Sequence, residues 1–100
     1  MESEGETVRQ RLVRWLSRSE YGFEQLRIAI ELSARDLEDE LRHVERSMRR
    51  QGRKLIVDGP RCRECGFGFP GRAARHLHPP GRCPRCRSQR IDTPRFRISS

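Results

Sequence analysis

Four cysteines in the second half of the chain have the types and spacing best suited to chemistry. They form two Cys-x-x-Cys pairs, Cys62 with Cys65 and Cys83 with Cys86, separated by seventeen residues. Two residues between cysteines allow a tight turn to direct both sulfurs at one point, and two such turns complete a tetrahedral site. The spacing therefore predicts one structural Zn²⁺ per chain, held by all four thiolates and left without an open coordination position.

Other uses of these side chains are disfavoured by their context. Two disulfides would suit an oxidising compartment, whereas the acidic, polar start predicts a cytoplasmic protein. Four unrelated thiols would leave the C-terminal segment, which is poor in core residues, without a stabilising metal or cross-link. His76 and His78 lie between the two pairs and could replace a cysteine as ligand. Because four correctly spaced cysteines are present, we expect both histidines to lie in an exposed loop.

Three amphipathic helices are predicted before the cysteines. The apolar spacing favours helices over 7–18, 23–31 and 34–51, with Thr7 and Ser33 as N-caps of the first and third. Only two residues join the second helix to the third, so these helices must cross steeply, which is helix-turn-helix geometry. The predicted helical core consists of Leu12, Trp15, Leu16, Leu26, Ile30, Leu37, Leu41 and Val44.

The pattern changes to short strands after the third helix. A β-branched run over 55–57 and a second run over 95–98 are the strand candidates, and the segment between them is rich in Gly, Pro, Arg and Cys. That segment has too little apolar mass to build a core without a metal. The predicted fold class is α+β: a three-helix, winged helix-turn-helix domain over 1–58, followed by a small zinc-ribbon β domain over 59–100.

Charge is divided unequally between the two halves of the chain. Residues 1–51 carry ten arginines and eleven acidic side chains, whereas residues 52–100 carry twelve basic and three acidic ones. Lys54 is the one lysine among the 22 basic residues, and the guanidinium fork of arginine suits phosphate and carboxylate. A polyanionic partner is therefore indicated, although codon bias toward arginine would produce the same composition.

The third helix presents a row of arginines opposite its apolar stripe. At 100° per residue its acidic side chains fall mostly on the flanks, where Glu38 and Arg42, and Glu45 and Arg49, form favourable i,i+4 pairs. A solvated helix with such pairs is the plain alternative to a DNA-reading helix. The candidate DNA contacts, including two in the ribbon, are Arg35, Arg42, Arg46, Arg49, Arg50, Arg72 and Arg75.

The order of these parts resembles a family of small bacterial and archaeal predicted transcriptional regulators, in which a winged-helix or helix-turn-helix domain is fused to a C-terminal zinc ribbon. The likeness covers nearly the entire chain, and Glu31 departs from it where such turns often have Gly. The resemblance implies sequence-specific binding of double-stranded DNA and regulation of transcription. It is carried by Thr7-Val-Arg-Gln-Arg-Leu, Gln25-Leu-Arg-Ile-Ala-Ile-Glu-Leu-Ser-Ala-Arg-Asp-Leu, Arg61-Cys-Arg-Glu-Cys-Gly-Phe, Pro80-Gly-Arg-Cys-Pro-Arg-Cys and Thr93-Pro-Arg-Phe-Arg-Ile.

Two other function classes remain open on the sequence. In one, the chain is an adaptor whose arginines meet an acidic protein of the transcription machinery; in the other, the cysteines hold iron and carry electrons, as in rubredoxin-like domains. A symmetric operator would imply a dimer. No catalytic constellation is evident, so we expect no enzymatic activity. Apolar runs of at most three residues and an acidic start predict a cytoplasmic protein that does not cross a membrane.

Overall fold

The computed structural model describes residues 6–72 and 76–99, and it is a mixed α+β fold, as the sequence predicts. Among the elements within these ranges, three helices come first and are followed by short strands, apart from one strand between the first two helices. In chain order the elements are α1 (Val8–Arg18), β1 (Tyr21–Gly22), α2 (Phe23–Ile30), α3 (Ala34–Arg50), β2 (Lys54–Asp58), β3 (Arg61–Cys62), β4 (Ile91–Asp92) and β5 (Arg95–Ser99).

α1 and α3 begin directly after the residues that the sequence predicts as their N-caps. The Thr7 hydroxyl accepts a hydrogen bond from the Gln10 amide at 3.1 Å, and the Gln10 side chain accepts from the Thr7 amide at 2.9 Å, forming a capping box. Ser33 caps α3 by accepting from the Asp36 amide at 3.0 Å. None of the helices in the described ranges combines the length and apolar character that crossing a bilayer requires.

The turn between α2 and α3 depends on a left-handed residue. Glu31 lies at φ 61° and ψ 47°, and its amide donates to the carbonyl of Arg27. A side chain at such angles costs about 1–2 kcal/mol relative to ordinary helical backbone, which is why glycine is common here. With Glu31 in this conformation, only three residues separate α2 from α3, and the apolar faces of both helices join one core.

One hydrophobic core joins the helices to the end of the chain. Every predicted helical core residue except Trp15 is buried, and Trp15 is partly buried and packs against the core. The helices also bury Phe23 and Met48, which lie on the same faces. Strands and the ribbon contribute the remaining members, Leu55, Leu77, Phe96 and Ile98.

The last strand pairs with the helical part of the molecule. β5 lies between β1 and β2 in an antiparallel sheet of order β1-β5-β2, with Phe96 opposite both Tyr21 and Val57. The domain boundary that the sequence predicts after residue 58 would assign this strand to the ribbon domain. Its alternation explains the pairing: Phe96 and Ile98 are buried while Arg95 and Arg97 are exposed, so the strand needs an apolar core on one face. The cysteine segment is therefore an insertion between two neighbouring strands.

Candidate metal centre

The sulfurs of the four cysteines converge on one point. Cys62 Sγ lies 3.5 Å from Cys86 Sγ, and Cys65 Sγ lies 3.6 Å from Cys83 Sγ, so each close contact joins one pair to the other. All four sulfurs lie within 4.8 Å of one another, and none is in a disulfide. Four thiolates bound tetrahedrally at about 2.3 Å would be separated by about 3.8 Å. The donor set fits Zn²⁺, and the four cysteines form one structural zinc site.

The two cysteine turns are built in the same way. In each, the amide of the first cysteine donates to the carbonyl five residues later, at 2.9 Å for Cys62 and 2.8 Å for Cys83. The residue after the second cysteine donates back to the first cysteine's carbonyl and has a positive φ, 77° at Gly66 and 65° at Arg87. Gly66 adopts this left-handed conformation without a side chain, and Arg87 adopts it with one.

The crowded thiols titrate very differently from one another. Burial alone would raise the pKa of Cys83, but the amides of Cys86 and Arg85 and the neighbouring thiols lower this pKa to about 7. For Cys86 the Ser88 amide alone would lower the pKa, whereas burial and the three neighbouring thiols raise it to about 12. Several thiolates this close together repel one another. Full ionisation of the set therefore requires a cation among the sulfurs.

The left-handed conformation at Arg87 predicts a stabilising substitution. Arg87→Gly should make the ribbon more stable than Arg87→Ala by about 0.5–1 kcal/mol, because both remove the charge but only glycine adopts this φ without strain. The opposite change, Gly66→Ala, should cost a similar amount, since an added Cβ meets open space and only the backbone is affected. The measurement is the chelator concentration at which each variant loses Zn²⁺. Equal midpoints for the two Arg87 variants would contradict the prediction.

The loop before the second cysteine pair docks on α3. Leu77 is 0% exposed and belongs to the helical core, whereas His76 is exposed as predicted and His78 is half-buried. The prediction of an exposed loop therefore holds for His76 and is wrong for Leu77. Its amide donates to Glu38 Oε2, and Glu38 Oε1 lies 3.0 Å from His78 Nδ1. Burial alone would raise the pKa of Glu38, but these two hydrogen bonds lower it below the ordinary value. A single aliphatic residue in a segment of Gly, Pro and Arg was the sequence signal for this contact.

The candidate DNA-contacting arginines differ in their exposure and in their partners within the chain. On α3, Arg42 is half-buried and pairs with Glu45 at 3.3 Å, while Arg46 contacts His43 Nδ1 at 3.3 Å. In the ribbon, Arg72 donates to the His78 carbonyl at 3.1 Å, which fixes the docked loop, and Arg75 lies outside the described residues. The candidates of α3 that are exposed are Arg35, Arg46, Arg49 and Arg50.

Known proteins are similar to this chain both in the ribbon and over the whole fold. Residues 60–100 match the family model described as the PF0610 rubredoxin-like zinc beta-ribbon domain. The solution NMR structure of protein PF0610 from Pyrococcus furiosus is similar over 100% of this chain and 95% of that chain, with a TM-score of 0.78 and 25% identity. Comparison with curated proteins gives no match. The chain thus shares its fold with the Pyrococcus protein, and its C-terminal part is a rubredoxin-like zinc β-ribbon.

Proposed function

We propose that the chain is a cytoplasmic, non-enzymatic regulator of transcription that binds double-stranded DNA through a winged-helix domain. The observation that carries the proposal is the element order: three helices, with β1 after α1, and then an antiparallel pair, β2 and β5, stacked beside them. In this reading α3 enters the major groove and the β2–β5 pair is the wing. The zinc ribbon is then an insertion at the far end of the wing.

The charges of α3 support contact with DNA. Three of its acidic side chains have partners within the chain. Glu38 contacts the ribbon loop, Glu45 pairs with Arg42, and Glu40 pairs with Arg9 of α1 at 3.3 Å. The exposed row opposite the apolar stripe is left mostly to arginine. A guanidinium fork can bind guanine O6 and N7 together, and this bidentate contact is common in specific DNA readout.

The wing and ribbon offer a second basic surface. Arg97 is exposed on β5, and Arg82, Arg85 and Arg87 are exposed beside the cysteines. Two ribbon arginines are partly neutralised, since Arg63 lies 2.5 Å from Asp92 and Arg90 lies 3.3 Å from Glu64. The thiolate site itself has a formal charge of −2 with Zn²⁺, so some of this positive charge balances the metal centre. The remainder is available to phosphate, whose contacts position a protein without reading sequence.

Selection from random duplexes tests the proposal. We expect an enriched motif at physiological salt, and Arg46→Ala should cost about 1–3 kcal/mol on that motif and little on random DNA. Arg97→Ala is the matched control, because loss of a phosphate contact should weaken all sequences about equally. If about six phosphates are neutralised, log K should fall with log[salt] at a slope near −5. Absence of any enriched motif would overturn the proposal.

A protein adaptor is the second candidate, and a specific observation favours it. Ile28 on α2 is 67% exposed, and Asp36 and Asp39 of α3 are also exposed. An exposed apolar side chain and exposed carboxylates suit a protein partner better than phosphate. Asp39→Asn separates the two functions: loss of a carboxylate among the arginines should strengthen DNA binding, whereas an adaptor that uses Asp39 should lose partner affinity and keep weak, sequence-blind DNA binding.

A further inference from the structure

We propose that Glu38, His76 and His78 form a second metal site, for a divalent transition-metal ion such as Zn²⁺, between α3 and the docked ribbon loop. Each of the three side chains offers one ligand atom, and these atoms all lie within 4.8 Å of one another. His78 Nδ1 is 3.0 Å from Glu38 Oε1, and the two imidazole rings have centroids 4.9 Å apart. The site is separate from the four cysteines in its residues and in its donor chemistry.

Burial of Leu77 explains why the three side chains meet. Leu77 is inserted into the helical core, so the residues on either side of it are held at the surface of α3. His76 is exposed and His78 is half-buried, and their ring centroids lie 4.9 Å apart. Both imidazoles therefore lie outside the core, and His78 contacts Glu38 on the adjoining helix.

The carboxylate is oriented before any ion binds. The Leu77 amide donates to Oε2 of Glu38, which leaves Oε1 toward His78. The Arg72 guanidinium donates to the carbonyl of His78 at 3.1 Å and so fixes the backbone of a second ligand. Loss of a group that holds a metal ligand in place in this way commonly lowers metal affinity 10–100-fold.

The donor set selects a class of ion. Two imidazoles and a carboxylate suit Zn²⁺ and related borderline divalent ions, whereas Mg²⁺ and Ca²⁺ prefer oxygen ligands alone. Three protein ligands leave a fourth position for water, in contrast to the closed four-thiolate centre. Glu38 comes from α3 and the histidines from the ribbon, so a bound ion would cross-link the two parts of the molecule.

The experiment uses untagged full-length protein whose four-cysteine centre is already loaded with zinc. Equilibrium dialysis against micromolar Zn²⁺, followed by elemental analysis, should give two zinc ions per chain. In ¹H–¹⁵N spectra of the imidazoles, the nitrogens of His76 and His78 should shift on addition of the second ion. His43, the remaining histidine of the chain, should not shift.

Substitutions assign the second ion to these residues. His76→Ala, His78→Ala and Glu38→Gln should each weaken its binding by at least about tenfold, since loss of a ligand exceeds the effect of losing a supporting group. His43→Ala is the matched control and should bind two ions. His76 is exposed; its ring contacts that of His78, and its backbone amide donates a hydrogen bond to the Arg72 carbonyl, so His76→Ala should keep the fold and the cysteine-bound zinc. One zinc per chain, or equal weakening in His43→Ala, would overturn the proposal.

Discussion

Removal of zinc is expected to unfold the insertion between β2 and β5 while the three helices stay folded. Within this insertion the described segments contain one two-residue strand pair, β3 with β4, and few aliphatic side chains, so the metal supplies the free energy that its core lacks. The β2–β5 pair has its own apolar residues, and the entropy cost of a flexible connection grows slowly with its length. Amide signals of the insertion should therefore lose dispersion, while those of α1, α2 and α3 keep theirs.

The helical part should nevertheless become less stable when zinc is removed. Leu77 would leave the core, and burial of such a side chain contributes about 1.5–3 kcal/mol. The melting temperature of the helices should fall by at least about 6 °C. Cys83→Ser should reproduce the effect of chelation without a chelator, and re-addition of Zn²⁺ should restore only the unsubstituted protein. Simultaneous loss of helical and ribbon signals would contradict the prediction, as would a ribbon that keeps its dispersion without metal.

Phe96→Ala should destabilise the helical part severely. Phe96 is 0% exposed, and its ring centroid lies 6.3 Å from that of Phe23. Truncation of a fully buried phenylalanine costs about 3–5 kcal/mol, from lost burial and from the cavity that remains. Many domains of this size have only about 5–15 kcal/mol of stability in total. The melting temperature, followed by circular dichroism at 222 nm, should therefore fall by at least about 12 °C.

Arg97→Ala is the matched control for this substitution. It changes the next residue of β5, whose side chain is exposed, so the free energy of unfolding should change by no more than about 0.5 kcal/mol. Chelator titration provides the second readout. If Phe96→Ala lowered zinc affinity but left the helical melting temperature unchanged, then β5 would depend on the ribbon rather than on the helices.

Local features of the fold could be read from the sequence because their causes lie within a few residues. The caps at Thr7 and Ser33, and the apolar faces of the three helices, depend on spacing along one helix. The cysteine turns depend on equally short segments, and their chemistry leaves few alternatives to zinc. The partner of the basic surface does not follow from local sequence in this way, because the guanidinium group of arginine binds both phosphate and carboxylate.

Long-range pairings were decided by the tertiary structure. The apolar spacing of Phe96 and Ile98 identifies a strand, but it does not identify the strand with which this one pairs. In the structure β5 pairs with β2 and β1, which lie on the other side of the ribbon in the sequence. Leu77 likewise gave no periodic signal, because a single buried side chain has no repeat. Its docking brings Glu38 of α3 to His76 and His78, residues that the sequence places in a free loop. The sequence by itself determined the helices, the strand candidates and the zinc ligands, whereas the compact packing of one shared core determined which distant segments meet.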